Sequence, residues 1–424
     1  MNINCKSNRK ISAEVAVVGG GTAGVFAAIS AARCGAKTVL IEKNSILGGT
    51  MTVANVNFPG LFFAWGKQII SGPCWEAVQR TIDLGGAVMP EITYKPVRHF
   101  YEQIRLNTFI FTTVLFQMCE EAGVEVLCNT MISAATETDG EVCLVVTGKE
   151  GLFEIECKVA IDATGDANLT QILGYPVVRS EVLQPATLQN RISGYNYDDV
   201  SKGELTEKFK ASDLPDYIDE NDLMSYLYNN KIDMHVPCNK ADTSESKTQL
   251  DRRAFYEMLK VYRFYRSVSG LENLQIDRVA CETGVRETNR IVGEYTVTKD
   301  EYIAGKFYKD SVCYAFYHID LHVLNGIEKR YPDKDVASKV PYSALVPKGA
   351  KRILCAGRCI SSDTYANSAL RVEAICMAMG QVAGCAAALA AQEGVSVMNV
   401  NYARLCKALR GLGAIVPDGS APTK

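Results

Sequence analysis

Two groups of residues in this chain have the types and spacing to do chemistry. The first is Gly19-Gly20-Gly21-Thr22-Ala23-Gly24, with Glu42 following and then Gly48-Gly49-Thr50. Gly19 permits a sharp turn, Gly21 lets the backbone approach a pyrophosphate, and Gly24 lets a helix pack closely on a strand. Glu42 stands 18 residues past the last glycine, about where a carboxylate accepts from ribose hydroxyls. The second group is cationic and basic. In a strand, His318, Asp320 and His322 point to one face. There a carboxylate can fix the tautomer of an imidazole that moves protons near neutrality. A His-x-His metal chelate and a structural polar face are the competing readings. Arg286 and Arg290 share a face if helical and could grip a carboxylate bidentately; ion pairs with Glu282, Glu287 or Glu294 are the alternative. Arg371 is either an active-site cation or a structural ion-pair residue.

The elements that must position these groups follow from the apolar pattern. The run Val15-Ala16-Val17-Val18 enters the glycine turn, residues 25–32 continue as a helix, and Thr38-Val39-Leu40-Ile41 ends at Glu42. Residues 51–72 have loop composition. Helix-period segments occupy 73–84 and 107–122, and strand-like runs lie at 124–128, 141–147 and 152–157, with Asp139-Gly140 as a hairpin signal. Lys158-Val159-Ala160-Ile161 leads into Asp162-Ala163-Thr164-Gly165-Asp166, a buried strand ending at the carboxyl edge where α/β sheets bind ligands. Residues 352–358 repeat that form, and 370–391 read as one tightly packed helix. Between these parts a helix is expected over 249–267 and strands near 275–281 and 311–321.

At 424 residues the chain exceeds one typical core, so two domains are expected: 1–182 with 341–424 as a discontinuous nucleotide-binding unit, and 183–340 as an inserted α+β substrate or cap domain. A formal charge of −3 and the lack of a basic stretch give no case for nucleic acid or an anionic membrane. The polar first ten residues and the absence of an apolar run approaching bilayer length point to a cytoplasmic protein. The fifteen cysteines include no C-x-x-C pair, so reduced thiols are expected.

The glycine opening, Gly48-Gly49-Thr50, Gly165-Asp166 after Ile161-Asp162-Ala163-Thr164, the segment Gly284-Val285-Arg286-Glu287-Thr288-Asn289-Arg290, and Ala356-Gly357-Arg358 ending in Met379-Gly380-Gln381-Val382-Ala383-Gly384 together resemble FAD-dependent oxidoreductases of the glutathione-reductase-like superfamily. The resemblance implies an α/β fold with a Rossmann-like FAD-binding domain of glutathione-reductase type. It implies that Gly19, Gly21, Gly24, Glu42, Lys43, Gly48, Gly49 and Thr50 bind the ADP and ribityl parts, and that Met131 meets adenine through its backbone. Thr164, Gly165 and Asp166 would line the diphosphate, and Gly357 and Arg358 would hold the ribityl and ring end. The helix opening at Leu370 would turn its positive end toward the flavin, with Arg371 at its start. Asn367-Ser368 and Asn289 depart from the pattern, where relatives often carry His-Gly and Arg. The implied activity is hydride transfer between flavin N5 and a small organic, anionic substrate, with His322 or His318 exchanging the proton and an unidentified electron partner. A reductase of the fumarate-reductase or ketosteroid-dehydrogenase kind, and a non-catalytic flavin-binding protein, remain as alternatives. Nothing in the spacing selects a covalent flavin link, for which His99 and Cys74 are among the residues available.

Overall fold

The computed structural model describes residues 9–93, 101–323 and 326–418. Strands as apolar as Val15–Val18, all four of whose residues are buried, need cover on both faces, which a parallel sheet flanked by helices provides. Val15–Val18 is the central strand of five, in the order Ile353–Cys355, Val159–Asp162, Val15–Val18, Thr38–Glu42, Glu125–Cys128, and every neighbouring pair is parallel. The glycine turn leads into the helix Thr22–Arg33, buried through most of its length. A second sheet joins Met131–Glu137, Val142–Gly148 and Gly151–Cys157 as an antiparallel meander, with Lys10–Ser12 parallel at its edge. The turn signal at Asp139-Gly140 falls in the loop between its first two strands.

The helix expected over 370–391 is two helices, Thr364–Leu370 and Glu373–Glu393. Val372 takes an extended conformation (φ −65°, ψ 137°) and breaks the run. The second helix has 21 residues and is apolar enough to cross a membrane, which revises the expectation that no segment approaches that length; its apolar window lies wholly inside the protein. It runs against Thr22–Arg33 with no room for side chains at two points. A Cβ on Gly380 would lie 2.1 Å from the Ala23 carbonyl oxygen, and one on Gly384 2.1 Å from that of Ala27.

The inserted region has its own core, running from Leu183 to Ala280. Its antiparallel sheet, ordered Lys231–Val236, Ala186–Ser193, Gln275–Arg278, carries the helices Glu220–Tyr228 and Ser244–Arg266. The expected cap of 183–340 does not pack as one unit, because apolar residues from Val297 to Val346 belong to the core of the first domain. Every cysteine among the described residues is free.

The helix contact gives a direct test. Gly384→Ala is expected to lower stability by about 1–3 kcal/mol through overpacking against backbone, read as a lower urea midpoint. Gly203→Ala, whose Cβ meets nothing within 4 Å, should leave the midpoint unchanged or raise it.

Candidate active site

The carboxyl ends of four parallel strands open on one cavity of ≈ 860 Å³, at Val18, Glu42, Ala163 and Ala356. This is where an open α/β sheet leaves a crevice for ligand. The glycine turn forms its floor. Gly19 has φ +106°, and a Cβ there would lie 2.5 Å from the Ala163 carbonyl oxygen; a Cβ on Gly24 would lie 1.8 Å from the Gly19 carbonyl oxygen. Gly19 and Gly21 line the cavity, whereas Gly24 acts beneath it by packing. Gly48 likewise stands behind the wall, its backbone N–H donating to the Gly20 carbonyl (2.8 Å), while Gly49 and Thr50 face the cavity.

Glu42 lines the cavity at the end of its strand, its carboxylate accepting from the backbone N–H of Gly20 (2.6 Å) and Asn44 (2.8 Å). Burial raises its carboxyl above the ordinary value, against these bonds. Lys43 and Met131 also lie on the wall, Lys43 3.5 Å from Glu282. Across the cavity, Arg358 donates to the Gly165 carbonyl (2.9 Å) and to Asp166 (2.5 Å), tying Thr164-Gly165-Asp166 to the Gly357 turn. Beneath them, the buried Asp162 accepts from the backbone N–H and hydroxyl of both Thr164 and Thr170. A glycine floor, a helix N-terminus and an acid at the next strand end are what a dinucleotide requires.

Leu370 does not line this cavity; it is fully buried as the last residue of its helix. Because the next helix starts at Glu373, the wall is formed by Arg371, Val372 and Glu373. Sequence reasoning missed Glu373, which accepts a hydrogen bond from the Thr22 hydroxyl at the mouth of the first helix. Burial pushes its carboxyl up to about 7.

A polar cluster on the strand Ile319–Val323 and beside it closes the cavity. His318 and His322 both bond the Asp320 carboxylate, at 3.2 and 3.1 Å, as their shared strand face requires. His322 and Asp320 line the cavity, while His318 lies behind them, stacked on Tyr317 and not on the wall. His318 therefore holds Asp320 in place. Burial opposes ionisation of Asp320, but the bonds from both histidines and the Arg371 charge outweigh it and hold the carboxyl far below its usual range. Arg371 donates to Gln184 and to the Asp320 carbonyl, both at 3.2 Å.

Arg286 and Arg290 are not on a helix and do not act together. Arg290 is buried away from the cavity, donating to Glu287 (3.1 Å) and the Ser362 carbonyl (3.0 Å), so its expected part in substrate binding is corrected to a structural ion pair. Arg286 does line the cavity, donating to the Pro185 carbonyl and to His235 Nε2 (3.3 Å). Burial, and then the neighbouring Arg371 charge, lower its guanidinium to about 10.

His235 was also missed. It belongs to Lys231–Val236, whose alternate residues Lys231, Asp233 and His235 face the cavity. That period-two pattern was legible in the sequence, but the surrounding polar composition masked it. Burial, then Arg286, lowers the His235 imidazole to about 3; burial outweighs Asp320 at His322 and lowers it to about 4. Both imidazoles are thus neutral at physiological pH. Cys74 is buried and off the wall, and His99 lies outside the described residues. The described residues contain no cluster of three or more histidine, cysteine or acidic side chains suited to a metal.

The model of the family described as FAD dependent oxidoreductase matches residues 14–409. The mitochondrial dihydrolipoyl dehydrogenase of Rattus norvegicus is 57% identical over 44 residues, 10% of this chain and 9% of that protein. A heterodisulfide reductase-like protein of Archaeoglobus profundus is 45% identical over 49 residues, 12% of this chain and 7% of that protein. The chain therefore matches less than a tenth of the length of these relatives. Among solved structures, a geranylgeranyl bacteriochlorophyll reductase-like protein from Thermoplasma acidophilum shares 14% identity over 95% of this chain and 84% of its own, with a TM-score of 0.46. The p-nitrophenol 4-monooxygenase of Pseudomonas putida shares 14% over 98% and 88%, with a TM-score of 0.42. Likenesses this distant carry no argument about chemistry.

Glu373 supplies the test of this geometry. Its carboxyl is protonated more readily in the folded chain than in the unfolded one, so it stabilises the fold fully below about 4.5, and that stabilisation is lost as pH rises through about 7. In cofactor-stripped protein, melting temperature should fall across that window, and Glu373→Gln should flatten the fall. An identical slope in the variant would contradict the assignment.

Proposed function

The chain belongs to the FAD-dependent oxidoreductase family, and on that premise we propose that it exchanges a hydride between FAD and a small organic anion bound between its two domains. The glycine floor, where a Cβ on Gly19 or Gly24 would collide with a carbonyl oxygen, and the adjoining cavity of ≈ 860 Å³ fit the cofactor. Gly19, Gly21 and the N-terminus of Thr22–Arg33 would hold the diphosphate, Glu42 the ribose, and Met131 the adenine through its backbone. Thr164, Gly165, Asp166, Gly357 and Arg358 would complete that cradle. When bound, FAD supplies the two-electron redox chemistry that no side chain here can. A glutathione-reductase-type domain is the finer assignment we favour, supported by the five parallel strands and the antiparallel meander beside them.

The observation that carries the anionic substrate is Arg286. Its hydrogen-bond partners, the Pro185 carbonyl and His235, are neutral, and among the described residues no carboxylate pairs with it. The Asp320 and Asp233 charges favour its ionised form through space but do not offset burial and the Arg371 charge, so its guanidinium stays under-compensated, and an anionic ligand hydrogen-bonded to it removes that cost. Arg371 adds a second positive charge nearby. His322, its Nε2–H committed to Asp320, keeps a lone pair on Nδ1 and is the group placed to hold a proton.

Small carboxylates that bleach the flavin of the holoenzyme under anaerobic conditions would identify usable substrates. With one of these, His322→Gln should lower kcat by about 10²-fold or more, and Arg286→Gln should raise KM, both with full FAD content. Normal turnover in both variants would refute the reading.

A further inference from the structure

The two cavity histidines differ in a way that selects a substrate. His235 and His322 come from strands of different sheets, their rings 5.0 Å apart and perpendicular. Arg286 has only donors, so His235 Nε2, 3.3 Å away, accepts from it, and the His235 proton sits on Nδ1. Asp320 is ionised and accepts only, so His322 Nε2 donates to it and His322 Nδ1 carries a lone pair. Neither Nδ1 bonds to any described residue, and neither is among the buried polar atoms left without a partner, so both keep contact with the cavity. One imidazole therefore offers a hydrogen-bond donor, the other an acceptor, and the guanidinium of Arg286 lies beside them.

A hydroxyl satisfies such a pair, because its oxygen accepts one hydrogen bond and its proton donates another. We infer that the cleft takes a 2-hydroxycarboxylate: Arg286 holds the carboxylate, His235 Nδ1–H donates to the hydroxyl oxygen, and His322 Nδ1 accepts the hydroxyl proton. This rests on the anionic-substrate reading above and narrows it. With the rings 5.0 Å apart and Arg286 3.3 Å from His235 Nε2, a hydroxyl shared by both imidazoles sits on the carbon next to a carboxylate that the same guanidinium holds. Oxidation breaks the O–H bond, with the proton passing to His322, and the carbinol C–H bond, with its electron pair leaving as hydride to the oxidised FAD that this family uses. The product is a 2-oxocarboxylate, and the reverse reaction returns the same proton from His322. An unsubstituted carboxylate leaves both Nδ1 atoms unsatisfied, and a buried polar site built for a hydroxyl discriminates strongly against a ligand without one.

The test uses FAD-loaded protein and binding, read from perturbation of the flavin spectrum and by calorimetry, with matched pairs: lactate and propionate, malate and succinate, mandelate and phenylacetate, each hydroxy acid in both enantiomers. At least one hydroxy acid should bind ten-fold or more tightly than its partner, and both His235→Phe and His322→Phe should abolish that preference while retaining the deoxy partner's affinity and the flavin. Carboxylates that bind with no preference in any pair, or a preference that survives in either variant, would overturn this inference and leave the anionic reading standing. Failure of every carboxylate to bind the FAD-loaded wild type would overturn both. If a variant does not load flavin, the wild-type pairs decide alone.

Discussion

The structure depends on backbone meeting backbone without side chains in between. The turn at Gly19 to Gly24 closes on its own carbonyls and on Ala163, and the long helix Glu373–Glu393 lies against Thr22–Arg33 through Gly380 and Gly384. These contacts fix the first half of Thr22–Arg33 against the glycine turn on one side and the long helix on the other. Its N-terminus is thereby aimed into the cavity that the strand ends form. A methyl group at Gly19, Gly24, Gly380 or Gly384 would collide with a carbonyl oxygen, and a packed interior yields little to such a clash. The same approach brings the start of Glu373–Glu393, with Glu373 and Arg371, to the cavity wall.

A second constraint is electrostatic. The cavity encloses Arg286, Arg371, Asp320 and two imidazoles in surroundings where unpaired charge is expensive. Asp320 answers this by accepting from His318 and His322 together, with the Arg371 guanidinium 3.7 Å away. Arg286 hydrogen-bonds only neutral groups, and the Asp320 and Asp233 charges reach it through space. These charged groups lie where the sheet of Ala186–Ser193 and the strand Ile319–Val323 face the glycine turn across the cavity.

The parts legible in sequence were those with local causes. Glycine spacing, apolar strands and the acid at Glu42 each act within a few residues, and Gly19, Gly21, Glu42, Gly49, Thr50, Gly165, Asp166 and Gly357 line one cavity. What was not legible depended on tertiary contact. The break at Val372 lies in a run of helix-compatible composition, and the extended turn there moved the cavity-facing residues from Leu370 to Arg371, Val372 and Glu373. Arg290 was paired with Arg286 by assuming a helix where the chain is instead coil followed by the strand Asn289–Ile291. Residues from Val297 to Val346 look like part of an insert by position, yet their apolar side chains join the first core. Lys231, Asp233 and His235 carry a period-two signal that becomes chemically meaningful only once Ala186–Ser193 pairs beside them and the cavity closes over them.

Distant glycine segments line one cavity, which we propose is a single cradle for FAD. Its most direct test is the identity and stoichiometry of the flavin released on denaturing the purified protein, after incubation with FAD and removal of the excess. About one FAD per chain is expected for the wild type and little for Gly21→Val, whose side chain would occupy the cavity floor. Wild-type protein that retains no FAD, or a Gly21→Val variant that retains as much as the wild type, would contradict it.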